Sequence, residues 1–255
     1  MKRYGLLGAK LSHSYSSLIH NSVFNKRGID ASYELIECEK QDLEKYVSYL
    51  KEGIYSGFNV TIPYKIEIMK YLDEIEATAL AIGSVNTIFV RDGKVIGTNT
   101  DYYGFLMTLK KYKVEVKNKK CFILGTGGAS LAIKKALEDL GGRCIYVSRN
   151  PKTDMIGYKD LAEIDIDIMV NTTPVGMYPK VLESPVSMDI AKKAKVVIDI
   201  IFNPLQTKLL KDASSTINGL YMLVMQAVKA EEYWLQQPIE LDADKIYAEL
   251  LTRLK

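Results

Sequence analysis

The sequence predicts an α/β fold divided into two domains with a cleft between them. Three observations carry the prediction. The chain has 255 residues, room for two modest domains. Short apolar runs alternate along it with stretches of helical periodicity, the pattern of strands joined by crossover helices. One stretch, Lys119 to Asn150, reads KKCFILGTGGASLAIKKALEDLGGRCIYVSRN and contains a complete strand–loop–helix–strand unit.

In that unit, Cys121 to Gly125 is a short apolar run behind a charged pair, suited to a buried parallel strand. Gly125, Gly127 and Gly128 follow at once. Leu131, Ile133, Ala136, Leu137 and Leu140 fall near helical spacing, Gly141-Gly142 stops the helix, and Cys144 to Val147 closes a βαβ unit. Glycines let the backbone turn tightly and approach a ligand closely. The helix behind them aims its free N–H groups and positive dipole end at the loop, which suits a pyrophosphate. The G-x-G-x-x-G pattern is incomplete, because Ser130 holds its last place. The context of strand, loop, helix and second strand therefore carries the dinucleotide reading against a glycine turn with no ligand. The second strand ends in Ser148-Arg149-Asn150. Sites for NAD place a carboxylate there, roughly 20 residues past the loop, to bind the ribose 2′-hydroxyl. Here there is none, and Arg149 can pair with a 2′-phosphate, so NADP is the expected cofactor. The alternative is a solvated arginine at a strand end.

Composition narrows the class. At this length roughly 70–75% of the unfolded surface can be buried, so no disulfide staples are needed. Hydrophobic residues make up 47% and charged residues 25%, ordinary for a soluble globular protein. The net charge of +3 points to no nucleic-acid or membrane partner and is compatible with small anions. Cys38, Cys121 and Cys144 form no C-x-x-C pair and read as small core residues. With His13 and His20 as the only histidines, spacing assembles no metal cluster. The N-terminus MKRYGLLGAK lacks the apolar run of a signal peptide, and no stretch approaches about 18 apolar residues. A cytoplasmic enzyme is expected.

In order along the chain, Tyr4 to Leu7 is a short strand ending at Gly8. Ser14 and Ser16 precede an apolar helical pattern of Leu18, Ile19, Val23 and Phe24. They either cap the helix or, with its N-terminus, hold a carboxylate. Ser32 to Ile36 is a strand; Leu43, Val47 and Leu50 mark a helix. Phe58, Val60 and Ile62 alternate with Asn59 and Thr61 in a strand that Pro63 ends. Thr61 and Lys65 thus sit at a strand's C-terminal edge, where α/β sheets bind ligands; alone, such a lysine is usually solvated. Leu72 to Ile82 reads as helical. Gly83 to Val90 turns into a strand that should contain Asn86, whose buried amide needs partners. Asp92-Gly93 makes a hairpin with Val95-Ile96. Thr100 or Asp101 can cap the helix from Tyr102 to Lys111. Asp167 to Val170 is a third parallel strand, followed by the loop NTTPVGM. Val196 to Ile200 is a fourth, followed by Phe202-Asn203-Pro204. Gln206 to Ala213 looks helical, as do Tyr221 to Gln236 after Gly219 and Asp242 to Leu254.

These motifs converge on one family. The chain resembles shikimate dehydrogenase along nearly its whole length. The matching stretches are G-x-x-x-x-HS-x-S-xxx-HN at 8–21, NVTIPYK at 59–65, GSVNT at 83–87, GTNTD at 97–101, GTGGAS at 125–130, NTTPVGM at 171–177 and NGL-x-MLV-x-Q at 218–226, in the family's order. The resemblance implies that Ser14 and Ser16 bind the shikimate carboxylate. It implies that Thr61, Asn86, Asp101 and Gln226 hold the ring hydroxyls with Lys65, and that Lys65 and Asp101 are the catalytic pair. It places the pyrophosphate on Gly125, Thr126, Gly127, Gly128 and Ala129, the 2′-phosphate on Ser148, Arg149 and Asn150, and the nicotinamide between Ile200 and Gly219. It assigns nothing to Asn59. Four positions depart from the family's pattern: Lys10 and Ser17 stand where Pro is usual, Phe202 replaces a Tyr whose hydroxyl reaches the substrate, and Tyr221 replaces a small Gly near the nicotinamide. A raised Michaelis constant is the expected effect of Phe202.

The expected function is NADPH-dependent, reversible reduction of 3-dehydroshikimate to shikimate. A quinate/shikimate dehydrogenase with relaxed cofactor use and a catalytically silent NADP-binding sensor are the alternatives. Retention of both Lys65 and Asp101 argues against the sensor. Residues 1–100 plus 220–255 are expected to form the α/β substrate domain, and 101–219 the Rossmann-like, parallel-sheet NADP domain. The domains are expected to close on ligand, in a monomer or homodimer.

Overall fold

The computed structural model describes residues 1–12, 14–239 and 243–253, so His13 lies outside the described residues. From the N-terminus the elements are β1 (Lys2–Gly8), α1 (Ser16–Lys26), β2 (Ala31–Glu37), α2 (Leu43–Lys51), β3 (Gly57–Val60), β4 (Glu74–Ile75), α3 (Ala77–Ile82), β5 (Thr87–Arg91), β6 (Lys94–Thr98) and α4 (Thr100–Lys111). There follow β7 (Lys120–Leu124), α5 (Gly128–Asp139), β8 (Arg143–Ser148), β9 (Met155–Gly157), β10 (Ile168–Asn171), α6 (Met188–Lys193), β11 (Val196–Asp199), α7 (Lys208–Asp212), β12 (Thr216–Asn218), α8 (Leu220–Leu235) and α9 (Ala243–Arg253). The chain divides into two compact units, Met1–Tyr103 with Val224–Ala243, and Gly104–Leu223 with Asp244–Lys255.

Unit 1 holds a six-stranded sheet in the order β2-β1-β3-β5-β6-β4. Only β5 runs antiparallel to its neighbours β3 and β6. Side chains alternate across a strand, and β1 shows it: Leu7 packs with Leu43, Val47 and Leu50 of α2, while Tyr4 and Leu6 pack with Phe24 of α1 and Trp234 of α8.

Unit 2 holds a sheet in the order β12-β11-β10-β7-β8-β9, every pair parallel. This is the doubly wound order of dinucleotide-binding sheets. The strand order reverses between β7 and β10, so the ends of those strands flank the crevice where such sheets bind ligands. Phe122, Leu124, Val147, Met169 and Val197 fill one face of the core.

The structure corrects the sequence expectations in several places. Residues 72–76 are not helical: Asp73 Oδ2 accepts from Val95 N–H at 2.8 Å, β4 pairs with β6, and only Ala77–Ile82 coils. The strand expected to reach Pro63 stops at Val60, and Asn86 precedes β5. The three-residue strands β9 and β12 and the short α6 were not expected. The unit boundaries fall inside α4 and α8, and α9 groups with unit 2 instead of the first domain. Lys111 Nζ to Asp244 Oδ1 at 2.7 Å and a 3.0 Å contact between the Tyr112 and Tyr247 hydroxyls anchor it there. The expected helix ends at Asp242 and Leu254 lie outside the described residues.

Candidate active site

The candidate residues of unit 1 gather along the ends of β1, β3 and β6 and on α8. The loop after β1 is closed by Glu37, whose Oε1 accepts from Leu11 N–H at 2.7 Å. This bond holds the loop where Pro is missing at Lys10. Gly8 is required at its start: an added Cβ would lie 2.7 Å from both Leu11 Cδ2 and Thr61 Cγ2. Thr61 is thereby packed against the loop that leads to Ser14 and Ser16. Those serines do not cap α1 in the ordinary way. The N-cap is Tyr15, with no capping side chain. Ser14 Oγ instead accepts from Ser16 N–H at 3.3 Å and lies 3.2 Å from Ser16 Oγ. Two hydroxyls so placed beside a helix N-terminus offer donors to an anion.

Beyond β3 the chain turns, with Tyr64 N–H bonded to Thr61 O at 2.8 Å, and Lys65 O accepts from Val85 N–H at 2.8 Å. That bond ties Lys65 to the segment leading to Asn86. Lys65 Nζ meets Asp101 Oδ2 at 2.5 Å, and the residues are only 9% and 7% exposed. Asp101 lies in the first turn of α4, not at its cap; Asn99 Oδ1 accepts from Tyr102 N–H at 3.2 Å. The cap that the sequence offers to Thr100 or Asp101 is therefore supplied by Asn99, and Asp101 Oδ2 engages the lysine. Asn86 is buried. Its Oδ1 accepts from Thr100 N–H at 2.7 Å and from Thr87 Oγ1 at 3.1 Å, while its Nδ2 donates to Thr100 Oγ1 at 3.1 Å. Thr100 Oγ1 in turn lies 3.5 Å from Gln226 Oε1 on α8. Lys65 pairs with Asp101, and Asn86 connects to Gln226 through Thr100, which sequence missed although it stands inside GTNTD. A buried ammonium–carboxylate pair can exchange a proton with an oxygen brought within hydrogen-bond reach of it.

In unit 2 the loop Gly125 to Ala129 leads from β7 into α5. Gly125 has φ +99°, a left-handed conformation, and a Cβ there would meet Thr173 Cγ2 at 2.8 Å. The NTTPVGM loop is thus packed on the glycine loop, with Thr172 Oγ1 donating to Leu124 O at 2.7 Å. Gly127 is the N-cap of α5, a Cβ on it would meet nothing within 4 Å, and the first turn carries no acidic residue. An open helix N-terminus free of carboxylates fits a pyrophosphate. Thr126 and Gly127 are exposed, as are Arg149 and Asn150 past the end of β8. Ser148 Oγ accepts from Asn150 N–H at 3.2 Å, turning the chain there. Gly219 is forced by close approach: a Cβ would lie 1.9 Å from Ile200 O. Ile200 and Gly219 are therefore in backbone contact. Asn171 and Asp199, both missed from sequence, end β10 and β11 buried, and Asn171 Nδ2 donates to Asp199 Oδ1 at 3.1 Å. The Tyr221 ring meets the Tyr247 ring edge-on at 5.4 Å and lies under Lys111 Nζ at 4.6 Å. Phe202 is half-buried. Among the described residues, no group of three or more His, Cys, Asp or Glu is placed to hold a metal, and no helix is long and apolar enough to cross a membrane.

Residues 6–88 match the model of the shikimate dehydrogenase substrate binding domain. A shikimate dehydrogenase (NADP(+)) of Clostridium perfringens is 43% identical over 99% of this chain and 100% of its own. The crystal structure of shikimate dehydrogenase 1 from Peptoclostridium difficile, 42% identical, is similar with TM-score 0.93 over 100% of this chain and 99% of that one. The crystal structure of a shikimate 5-dehydrogenase from Thermus thermophilus, in complex with NADP(H) and shikimate, is 26% identical with TM-score 0.88, each chain covered in full. The chain belongs to the shikimate dehydrogenase family.

Proposed function

We propose that the chain catalyses the reversible, NADPH-dependent reduction of 3-dehydroshikimate to shikimate, a step of chorismate and aromatic amino acid biosynthesis. The observation that carries this reading is the buried Lys65–Asp101 pair, 2.5 Å apart, beside the Asn86–Thr100–Gln226 cluster. Ser14 and Ser16 receive the substrate carboxylate. Thr61, Asn86, Asp101 and Gln226 hold the ring hydroxyls. Lys65 stands against the substrate oxygen, stabilises the charge that develops on it and delivers its proton in the reducing direction. Asp101 keeps the ammonium oriented and compensates its charge in a site with little water.

NADP supplies the hydride when bound, and the residues of unit 2 fit it. The open N-terminus of α5, with Gly125, Thr126, Gly127, Gly128 and Ala129, holds the pyrophosphate. Ser148, Arg149 and Asn150 hold the 2′-phosphate, to which a guanidinium binds bidentately. Ile200 and Gly219 flank the nicotinamide. General acid help of the kind assigned to Lys65 is typically worth about 10²–10⁴ in rate.

The test is a steady-state assay of the purified chain with shikimate and with quinate, each with NADP and with NAD, followed by cofactor absorbance. Strong preference for shikimate with NADP is expected. Comparable rates with quinate or NAD would contradict the substrate and cofactor assignments. NADP binding without any turnover would leave a sensor.

A further inference from the structure

Asn59 has no place in the proposed catalytic reading, yet it stands on β3 beside the substrate cluster, 4% exposed. Its hydrogen-bonding groups are filled from within the protein. Oδ1 accepts from the Tyr33 hydroxyl at 2.8 Å. Nδ2 donates to Thr87 Oγ1 at 2.9 Å and to Asn86 O at 3.3 Å. A carboxamide has two N–H donors, so Asn59 keeps none for a ligand. Whatever it does for the reaction, it does through its neighbours.

Thr87 has a single hydroxyl hydrogen. Its Oγ1 accepts from Asn59 and lies 3.1 Å from both Asn86 Oδ1 and Thr100 Oγ1, so Asn86 Oδ1 is one of two acceptors within its reach. Thr100 N–H donates to the same oxygen at 2.7 Å. A backbone donor cannot be an acceptor, so it fixes which end of the Asn86 carboxamide is oxygen. The Nδ2 end faces the other way and donates to Thr100 Oγ1 at 3.1 Å, and a carboxamide nitrogen carries a second hydrogen.

The far end of this chain is held as firmly. The His20 ring stacks on Tyr33 with centroids 4.1 Å apart, and His20 Nδ1 lies 2.7 Å from Glu231 Oε1, both residues fully buried. Burial pushes His20 down to about 3 and Glu231 well above the usual carboxylate range.

We infer that Tyr33, Asn59 and Thr87 are positioning residues that brace the Asn86 carboxamide, whose orientation Thr100 N–H sets, so that an N–H is presented to a substrate hydroxyl oxygen. The inference rests on the shikimate dehydrogenase reading and adds to it a determinant of hydroxyl recognition that touches no substrate.

The test is steady-state oxidation of shikimate with NADP by the full chain and its variants. Thr87→Val removes the hydroxyl with little change of shape; Thr87→Ser restores it. Thr87→Val is expected to raise the shikimate KM about tenfold, the scale of one lost or misdirected hydrogen bond. The NADP KM should be unchanged and Thr87→Ser within about threefold of the parent. Tyr33→Phe, which keeps the stacked ring, should shift the shikimate KM in the same direction and carries the test if Thr87→Val does not fold. The double variant Thr87→Val/Asn86→Ala should be no worse than Asn86→Ala alone, because residues acting through one another are not additive. An unchanged shikimate KM in Thr87→Val and Tyr33→Phe overturns the inference, as do effects of Thr87 and Asn86 that multiply in the double variant. A parent chain inactive toward shikimate overturns the functional reading, and the inference with it.

Discussion

Asp199 makes a pH dependence that can be worked through from its contacts. It ends β11 fully buried. Oδ2 accepts from Thr207 Oγ1 at 2.7 Å, and Oδ1 accepts from Ile201 N–H at 3.0 Å and from Asn171 Nδ2 at 3.1 Å. Burial raises its pKa from the ordinary 3.8 to about 6, and the three hydrogen bonds offset only part of that rise. A carboxyl with a higher pKa in the folded state binds its proton more tightly when folded. Its contribution to stability is therefore complete below about pH 3.8 and is lost as the pH climbs through about 6. At 1.36 kcal/mol for each pKa unit, the loss amounts to about 3 kcal/mol. Asp199→Asn keeps the shape and abolishes the titration; the Thr207 hydroxyl can rotate to accept from the new amide. Urea unfolding of parent and variant, at intervals from about pH 4 to pH 7.5, reads the difference directly. The variant should gain on the parent by about 3 kcal/mol across that window and hold level above it. The buried His20 and Glu231 are common to both proteins and cancel. A difference that is flat, or that falls with pH, would refute the reasoning.

Three further outcomes follow from close approaches and charge. Gly219→Ala puts a Cβ 1.9 Å from Ile200 O, so the backbone must part there; NADP affinity measured by calorimetry should fall about tenfold or more. Arg149→Gln removes the charged partner of a 2′-phosphate and should raise the NADP KM about tenfold to a hundredfold with little effect on NAD, as expected for a hydrogen bond to a charged group. Gly57→Ala drives a Cβ to 2.3 Å from Trp234 Cδ1 and Nε1, straining the bond from Trp234 Nε1 to Ile88 O. It should cost about 1–3 kcal/mol by urea unfolding and shift the emission of the single tryptophan.

The elements most legible in the sequence are those whose signal is local. β7, α5 and β8 follow from a buried run, a glycine loop, a helical period and a glycine stop, all within Lys119 to Asn150. β9 and β12 are three-residue strands with no alternation to detect, and only pairing with β8 and β11 defines them. Residues 72–76 have a helix-compatible composition, but Asp73 finds the Val95 N–H, a partner distant in sequence. Tertiary pairing overrides propensity there.

The site divides in the same way. The glycine loop and Arg149 are nominated as cofactor contacts by local physics alone. Lys65 and Asp101 lie 36 positions apart, and no periodicity brings them together. Family resemblance nominated them; the structure places them within hydrogen-bond distance. Asn86 was flagged because a buried amide needs partners, but the partners Thr87 and Thr100 are ordinary threonines until the fold closes around them. Tyr221 stood out as a large residue in a small residue's place, and its ring is taken up by Tyr247 and Lys111 of the same unit.

The proposed chemistry centres on Lys65, and a single comparison tests it. The parent chain and Lys65→Ala would be assayed with shikimate and NADP, with NADP binding and the folded state checked in the same preparations. The account predicts turnover lower by about tenfold to a hundredfold or more, while NADP affinity is retained, the signature of a lost acid–base group. Near-normal turnover in folded Lys65→Ala would contradict it and remove the Lys65–Asp101 pair from the mechanism.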